Sequence, residues 1–223
     1  MRVHFLLLLI LATIEAPAQD PHATLSGGIV TYTTRTGTRT RMQVGAKCSD
    51  LWASPDGAAI TFIGIEKETP AAPGEIGTFV ERSTVYVALR SDDFKAVAVP
   101  ASPMMEGRVW HVAREPKVSP DLKSVYFLVP NFMTSLQLTR TAVSGGRYEP
   151  IADVSDYCII WGGDYSGDLV ILTSRDQRVG GVMTYPCYWR QRSGFQVEIA
   201  AECATSFEAI AARWAREHGG LCR

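Results

Sequence analysis

The stretch DLWASPDGAAITF occupies Asp50 to Phe62, and its central pattern returns in PKVSPDLKSVYFLV, Pro116 to Val129. Ser119, Pro120 and Asp121 stand sixty-five positions after Ser54, Pro55 and Asp56. In the first copy each residue has a local task. The serine oxygen can accept a backbone N–H, the proline presets φ, the aspartate caps, and Gly57 takes a positive φ. The unit predicts a hairpin turn. Strands follow both copies, with Ile60 and Phe62 in one and Val125 and Phe127 at the matching offsets in the other. Both strands are apolar on both faces, as expected when each face packs on another sheet. A looser third copy, WGGDYSGDLVILT, sets Trp161, Gly167, Val170 and Leu172 against Trp52, Gly57, Ile60 and Phe62, with one residue inserted in the turn.

Between these hairpins lies a second kind, two strands around a Gly or Asp turn. It spans Ile29 to Val44, Thr84 to Pro100, Ser135 to Ala152 and Thr184 to Ala200. Alternation of the two kinds predicts a four-stranded unit, repeated, which is how a propeller blade reads in sequence. The inner pair carries the Ser-Pro-Asp turn and the outer pair the Gly turn. The segments KETPAAPGEIGTFVERS and ASPMMEGR read as loop insertions, rich in Pro, Gly and charge.

WASPDGAAITF, VSPDLKSVYFL and LTRTAVSGGRYEPI resemble the repeat of TolB-like propellers and of the propellers that precede prolyl-oligopeptidase-type catalytic domains. The resemblance covers most of Cys48 to Ala200. It implies an all-β fold with six or more blades, whereas three inner and four outer hairpins make about three and a half. The sequence departs from the repeat at Leu122, where glycine is usual, and at the third turn. The expected fold is therefore a partial or small β-propeller of three to four four-stranded blades with a C-terminal α-helix. The resemblance implies an exported, non-catalytic binding or scaffolding module of the bacterial envelope, with a protein or envelope-associated ligand. An alternative is a propeller module related to, or acting with, a serine peptidase or hydrolase. A further alternative is a glycan or small-molecule binder.

The ends of the chain read independently of the repeat. Arg2 precedes the apolar run FLLLLILA, Phe5 to Ala12, which is too short to span a bilayer, and Ala16 and Ala18 fit a signal-peptidase site. A signal peptide over 1–18 predicts a periplasmic or secreted protein, with a propeller-type domain over 19–204 and a helix and tail over 205–223. No later stretch predicts a transmembrane anchor. In the tail, Thr205 and Glu208 form a capping-box pattern, and Phe207, Ile210, Ala211 and Trp214 fall on one helical face. Gly219 marks the end. This amphipathic helix, over Ser206 to His218, is expected to cover the exposed face of the last blade. An open arc has a sheet face and an edge to hide, which would admit oligomer formation.

The net charge of −1 provides no basic field for nucleic acid. The five cysteines, Cys48, Cys158, Cys187, Cys203 and Cys222, permit two disulfides with one thiol left over, fifteen arrangements in all (five choices times three pairings). Cys203 and Cys222 are too far apart across an intact helix to pair. No cysteine spacing predicts a metal site, and no cofactor is expected. Ser166 sits in a turn at the wrong offset for a nucleophile elbow. His111 and Glu115 lie too far apart along a strand to act together, and Asp164 and Asp168 are too few for calcium. No catalytic residue is expected. The candidate ligand-binding residues are the inner-strand aromatics Trp52, Trp110 and Trp161, which could line a funnel, and Arg35, Arg39 and Arg41, which could hold an anionic partner or protect an edge.

Overall fold

In the computed structural model the Ser-Pro-Asp turn forms twice with the same hydrogen bonds. Ser54 Oγ donates to Asp56 Oδ1 at 2.7 Å and accepts the Ala59 N–H at 2.8 Å; Ser119 Oγ donates to Asp121 Oδ1 at 2.5 Å and accepts the Ser124 N–H at 3.0 Å. Gly57 closes the first turn at φ +67°, and Leu122 adopts φ +58° in its place. The residues described are 22–34, 36–43, 47–65, 69–70, 79–80, 83–99, 104–105, 108–109, 113–131, 135–173, 177–179, 182–203 and 205–223. The signal-peptide segment, Arg35, Trp110 and His111 lie outside them.

The first described elements are β1 (His22–Ser26), β2 (Ile29–Thr33) and β3 (Arg39–Gln43), a three-stranded antiparallel sheet. The β1–β2 hairpin is absent from the sequence reading, although Gly27-Gly28, both at positive φ, is a strong two-residue hairpin signal. The next sheet orders β4 (Lys47–Ala53), β5 (Ala59–Ile65), β8 (Ser83–Leu89) and β9 (Ala96–Ala98). Between its strands, β6 (Thr69–Pro70) and β7 (Phe79–Val80) make a small ribbon, as do β10 (Met104–Met105) and β11 (Arg108–Val109) after it. Then come β12 (Arg114–Val118), β13 (Ser124–Asn131), β14 (Ser135–Ala142) and β15 (Glu149–Trp161). β16 (Leu169–Thr173), a ribbon of β17 (Gln177–Val179) and β18 (Val182–Thr184), β19 (Cys187–Arg190) and β20 (Gln196–Ala200) complete the strands before α1 (Phe207–Glu217) and β21 (Leu221–Cys222).

The architecture is all-β, a propeller arc with one α-helix among the described residues. Its blades are not all separate. β15 runs unbroken for 13 residues. Its first half pairs with β14 as the outer strand of one blade, and its second half pairs with β16 as the inner strand of the next. The reason is local: between Ile151 and Trp161 no Gly or Pro interrupts the strand, so the chain changes blade at a bulge between Val154 and Asp156 instead of a turn.

Period-two alternation stacks the sheets. Ile60 and Phe62 face Val30 and Tyr32 of the first sheet, whereas Ala59 and Ile63 face Val125 and Phe127. Tyr126 and Leu128 then face Ile159 and Ile171, and Val170 and Leu172 face Phe207 and Ala211 of α1. Each central strand thus contributes to two cores, which is why its sequence is apolar throughout. Both ends of the arc are finished. The outer face of the first sheet carries His22, Thr24, Ser26, Arg39, Arg41 and Gln43, all exposed.

α1 covers the last blade's outer face. Its N-cap is Ser206, without a side-chain cap bond, so the Thr205–Glu208 capping box does not form. Gly219 N–H bonds Arg216 O and Gly220 N–H bonds Ala215 O, a Schellman ending. The third turn is reshaped to let this ending pass. A Cβ on Gly163 would collide with the His218 carbonyl and approach Gly219 C to 2.9 Å. Beyond it β21 pairs with Ile160 and Trp161 of β15. Disulfides Cys158–Cys222 (Cα–Cα 5.5 Å) and Cys187–Cys203 (5.8 Å) fix the tail and helix to this blade, leaving Cys48 outside both.

Candidate functional site

The inner strands β4, β12 and β15 converge at the centre of the arc. Thr61 Oγ1 on β5 donates to the Pro116 carbonyl of β12, and the buried Tyr157 hydroxyl on β15 shares its one proton between Glu115 O at 2.5 Å and Tyr126 O at 3.0 Å. Trp52 of β4 and Trp161 of β15 meet with ring centroids 6.0 Å apart. Trp161 is buried and Trp52 is half-buried against both adjoining cores. Of the sequence candidates, these two are brought together. Arg39 and Arg41 lie apart from them, side by side on the exposed face of β3.

Two inner strands bulge at the same place. Asp50 in β4 and Glu115 in β12 each stand four residues before the turn serine, at φ +51° and +49°. Left-handed backbone costs a non-glycine residue about 1 kcal/mol. Here it re-aims the strand so that β12 presents Lys117 toward β15. Lys117 Nζ donates to Tyr157 O at 2.8 Å, lies 4.3 Å from the centroid of the Tyr157 ring, and stands 3.8 Å from Glu115 Oε2. Asp156, at the bulge of β15, accepts the Tyr157 N–H at 2.6 Å.

These groups border a cavity of about 560 Å³ between the inner strands, Glu208 and Ala211 of α1, and Arg223 of the tail. Burial lowers the Lys117 ammonium below the usual lysine range, partly offset by Glu115 and Asp156. Burial raises the Glu115 and Asp156 carboxyls, against the pull of Lys117. A lysine has three N–H donors, so one fixed to Tyr157 O leaves others for a bound group. The site can therefore hold a ligand by charge and directed hydrogen bonds. Lys117 and Asp156 carry no signal in the repeat pattern, and Glu208 reads in sequence as half of a capping box, not as a site residue. Lys117 is marked only by a departure from that pattern, a lysine on an inner strand at the offset where the first copy has Trp52.

The other sequence candidates are structural in their contacts. Ser166 Oγ accepts the Gly162 N–H at 3.3 Å within the third turn. Asp168 accepts bonds from Trp189 Nε1 and Arg192 N–H. Among the described residues no group of three or more His, Cys, Asp or Glu side chains could hold a metal, and no helix is long and apolar enough to cross a membrane. A smaller hollow of about 160 Å³ has its arginines engaged, Arg140 with Glu149 and Arg192 with Asp121.

No family model and no curated protein matches the chain. Among solved structures it is similar to the tricorn protease, at 12% identity and TM-score 0.46, covering 78% of this chain and 20% of that one. It is also similar to a protein described as a TolB from Agrobacterium tumefaciens, at 14% identity and TM-score 0.36, covering 82% of this chain and 77% of that one. The chain thus spans about a fifth of the tricorn protease's length.

Proposed function

We propose that the chain is an exported, non-catalytic binding module whose ligand, a protein or an envelope-associated molecule, enters the cavity between the inner strands and α1. The observation that carries this reading is the cavity: at about 560 Å³ it falls in the size range of ligand pockets, and its charged groups are held by fixed partners. Lys117 is oriented by a backbone carbonyl and an aromatic face, Asp156 by a backbone N–H. Such an arrangement presents groups for recognition. The two disulfides support export, because they persist in oxidising compartments.

The test is a photo-crosslinking residue at Ala212, on the cavity rim, in protein matured in an envelope-containing host. The expected result is a discrete adduct with an envelope protein or lipid, reduced by Lys117→Met. Adducts no stronger than those from a crosslinker at Thr24 would refute the reading. Turnover of peptide or ester reporters, lost in Lys117→Met with the fold intact, would replace binding by catalysis.

A further inference from the structure

The arc's strand edges are not equally guarded. β3 carries Arg39 and Arg41, and β9 is three residues long, both common ways of discouraging edge pairing. β20 is five residues long with Glu198 as its one charge. Phe195, just before it, and Val197 within it are exposed large apolar side chains, at 58% and 42%. Val197 lies opposite Trp189, and Phe195 contacts the same ring at 6.4 Å, so both project on the face that bears α1. Among the described residues nothing pairs with the outer edge of β20.

We infer that this edge is an interface with a second copy of the same chain, formed by antiparallel pairing of β20 with β20 about Gln196. The backbone geometry narrows the register and the bulge at Ile199 selects it. Gln191 N–H donates to Phe195 O, so Phe195 and Val197 direct their backbone groups toward β19 while Gln196 and Glu198 direct theirs outward. Outward groups must meet outward groups, a condition met with Gln196 opposite Gln196 of the second copy; Glu198 then falls beside Gly194, whose own N–H stays bonded to Gln191 O. Phe195 then faces Val197 across the interface twice, burying both exposed apolar side chains. The register also ends before the bulge at Ile199.

The charges agree with the pairing. A Cβ on Gly194 would lie 3.7 Å from Arg190 Nη2, so the Glu198 carboxylate of one copy arrives beside the Arg190 guanidinium of the other. Arg190 is already held in place by Gln196 Oε1 at 3.0 Å. No like charges face each other. The paired edge is short, so the dimer belongs to the weak, concentration-dependent class.

Sedimentation of the mature, disulfide-intact protein over a concentration series tests this. The wild type dimerises, Glu198→Arg raises the dissociation constant about tenfold or more, and adding Arg190→Glu restores association. Gln196→Cys crosslinks to itself under mild oxidation, since paired Cα atoms at that position lie about 5.5 Å apart. Val197→Cys, displaced from its own symmetry mate, crosslinks far more slowly. A wild type that stays monomeric throughout, a charge swap without rescue, or equal crosslinking at both positions would overturn the inference.

Discussion

Gly57 and Leu122 occupy the same turn position with opposite tolerance. A Cβ on Gly57 would collide with the Tyr32 hydroxyl and come within 2.7 Å of Arg90 Nη2, which donates to Gly57 O at 2.5 Å. Leu122 bears its side chain at that position and packs, partly buried, on the core between the first two full blades. Gly57→Ala is therefore expected to cost about 2 to 4 kcal/mol, from backbone strain plus displacement of Tyr32 and Arg90, as measured by denaturant unfolding. The charged cavity makes a second prediction. Glu115 and Asp156 titrate above their ordinary values, so their contribution to stability is complete below the unfolded carboxyl pKa of about 4 and is lost as pH rises through the raised folded values. Asp121 behaves oppositely. Burial would raise it, but the Ser119 hydroxyl, the Lys123 N–H and Arg192 hold it low, so its contribution is lost as pH falls through the lowered value. The denaturation midpoint should thus rise from neutral pH toward about pH 5 and drop in stronger acid, with Asp156→Asn flattening the rise. An Asp156→Asn profile parallel to the wild type would refute the assignment.

At the scale of elements, the tail is the part held by most devices at once. α1 stacks Trp214 on Trp189 at 5.4 Å and on His218 at 4.1 Å, and β21 takes the free edge of β15 where β14 leaves it. Cys158–Cys222 closes a loop with sequence separation 64, against 16 for Cys187–Cys203. Chain-entropy arguments give about 4 kcal/mol for the longer loop and about 3 for the shorter. Cys222→Ser should therefore lower stability more than Cys203→Ser, and amide exchange at Ile159 should rise in Cys222→Ser, since Ile159 N–H bonds Arg223 O. Equal exchange in both variants would show that β21 holds its place without the disulfide. The helix was legible from its apolar face and glycine stop. Its capping box was not borne out because Ser206, not Thr205, became the N-cap.

Over the whole molecule, the arc survives because its two ends differ in kind. The first sheet turns a polar face outward, whereas the last blade's outer face is apolar and lies under α1. Deleting residues 205–223 should expose Val170 and Leu172 and yield an aggregating protein, while Arg39→Ser at the other end leaves the melting temperature within about 1 °C. Light scattering and thermal unfolding check both. Much of this design could be read without coordinates: the repeated turn, the doubly apolar strands and the helix each depend on local chemistry or on a period of two or 3.6. Alternation alone showed that Ile60 and Ala59 would face different neighbours. What the sequence could not show were relations between segments distant along the chain. The fusion of two blades through β15 depends on which half of that strand meets β14 and which meets β16. The cysteine pairing depends on where the tail turns back, and the cavity on Glu115, Lys117, Asp156 and Glu208 arriving from three separate elements. Local patterns determined which strands and turns form; only tertiary packing, which fixes distances between residues far apart in the chain, decided which charges share a site.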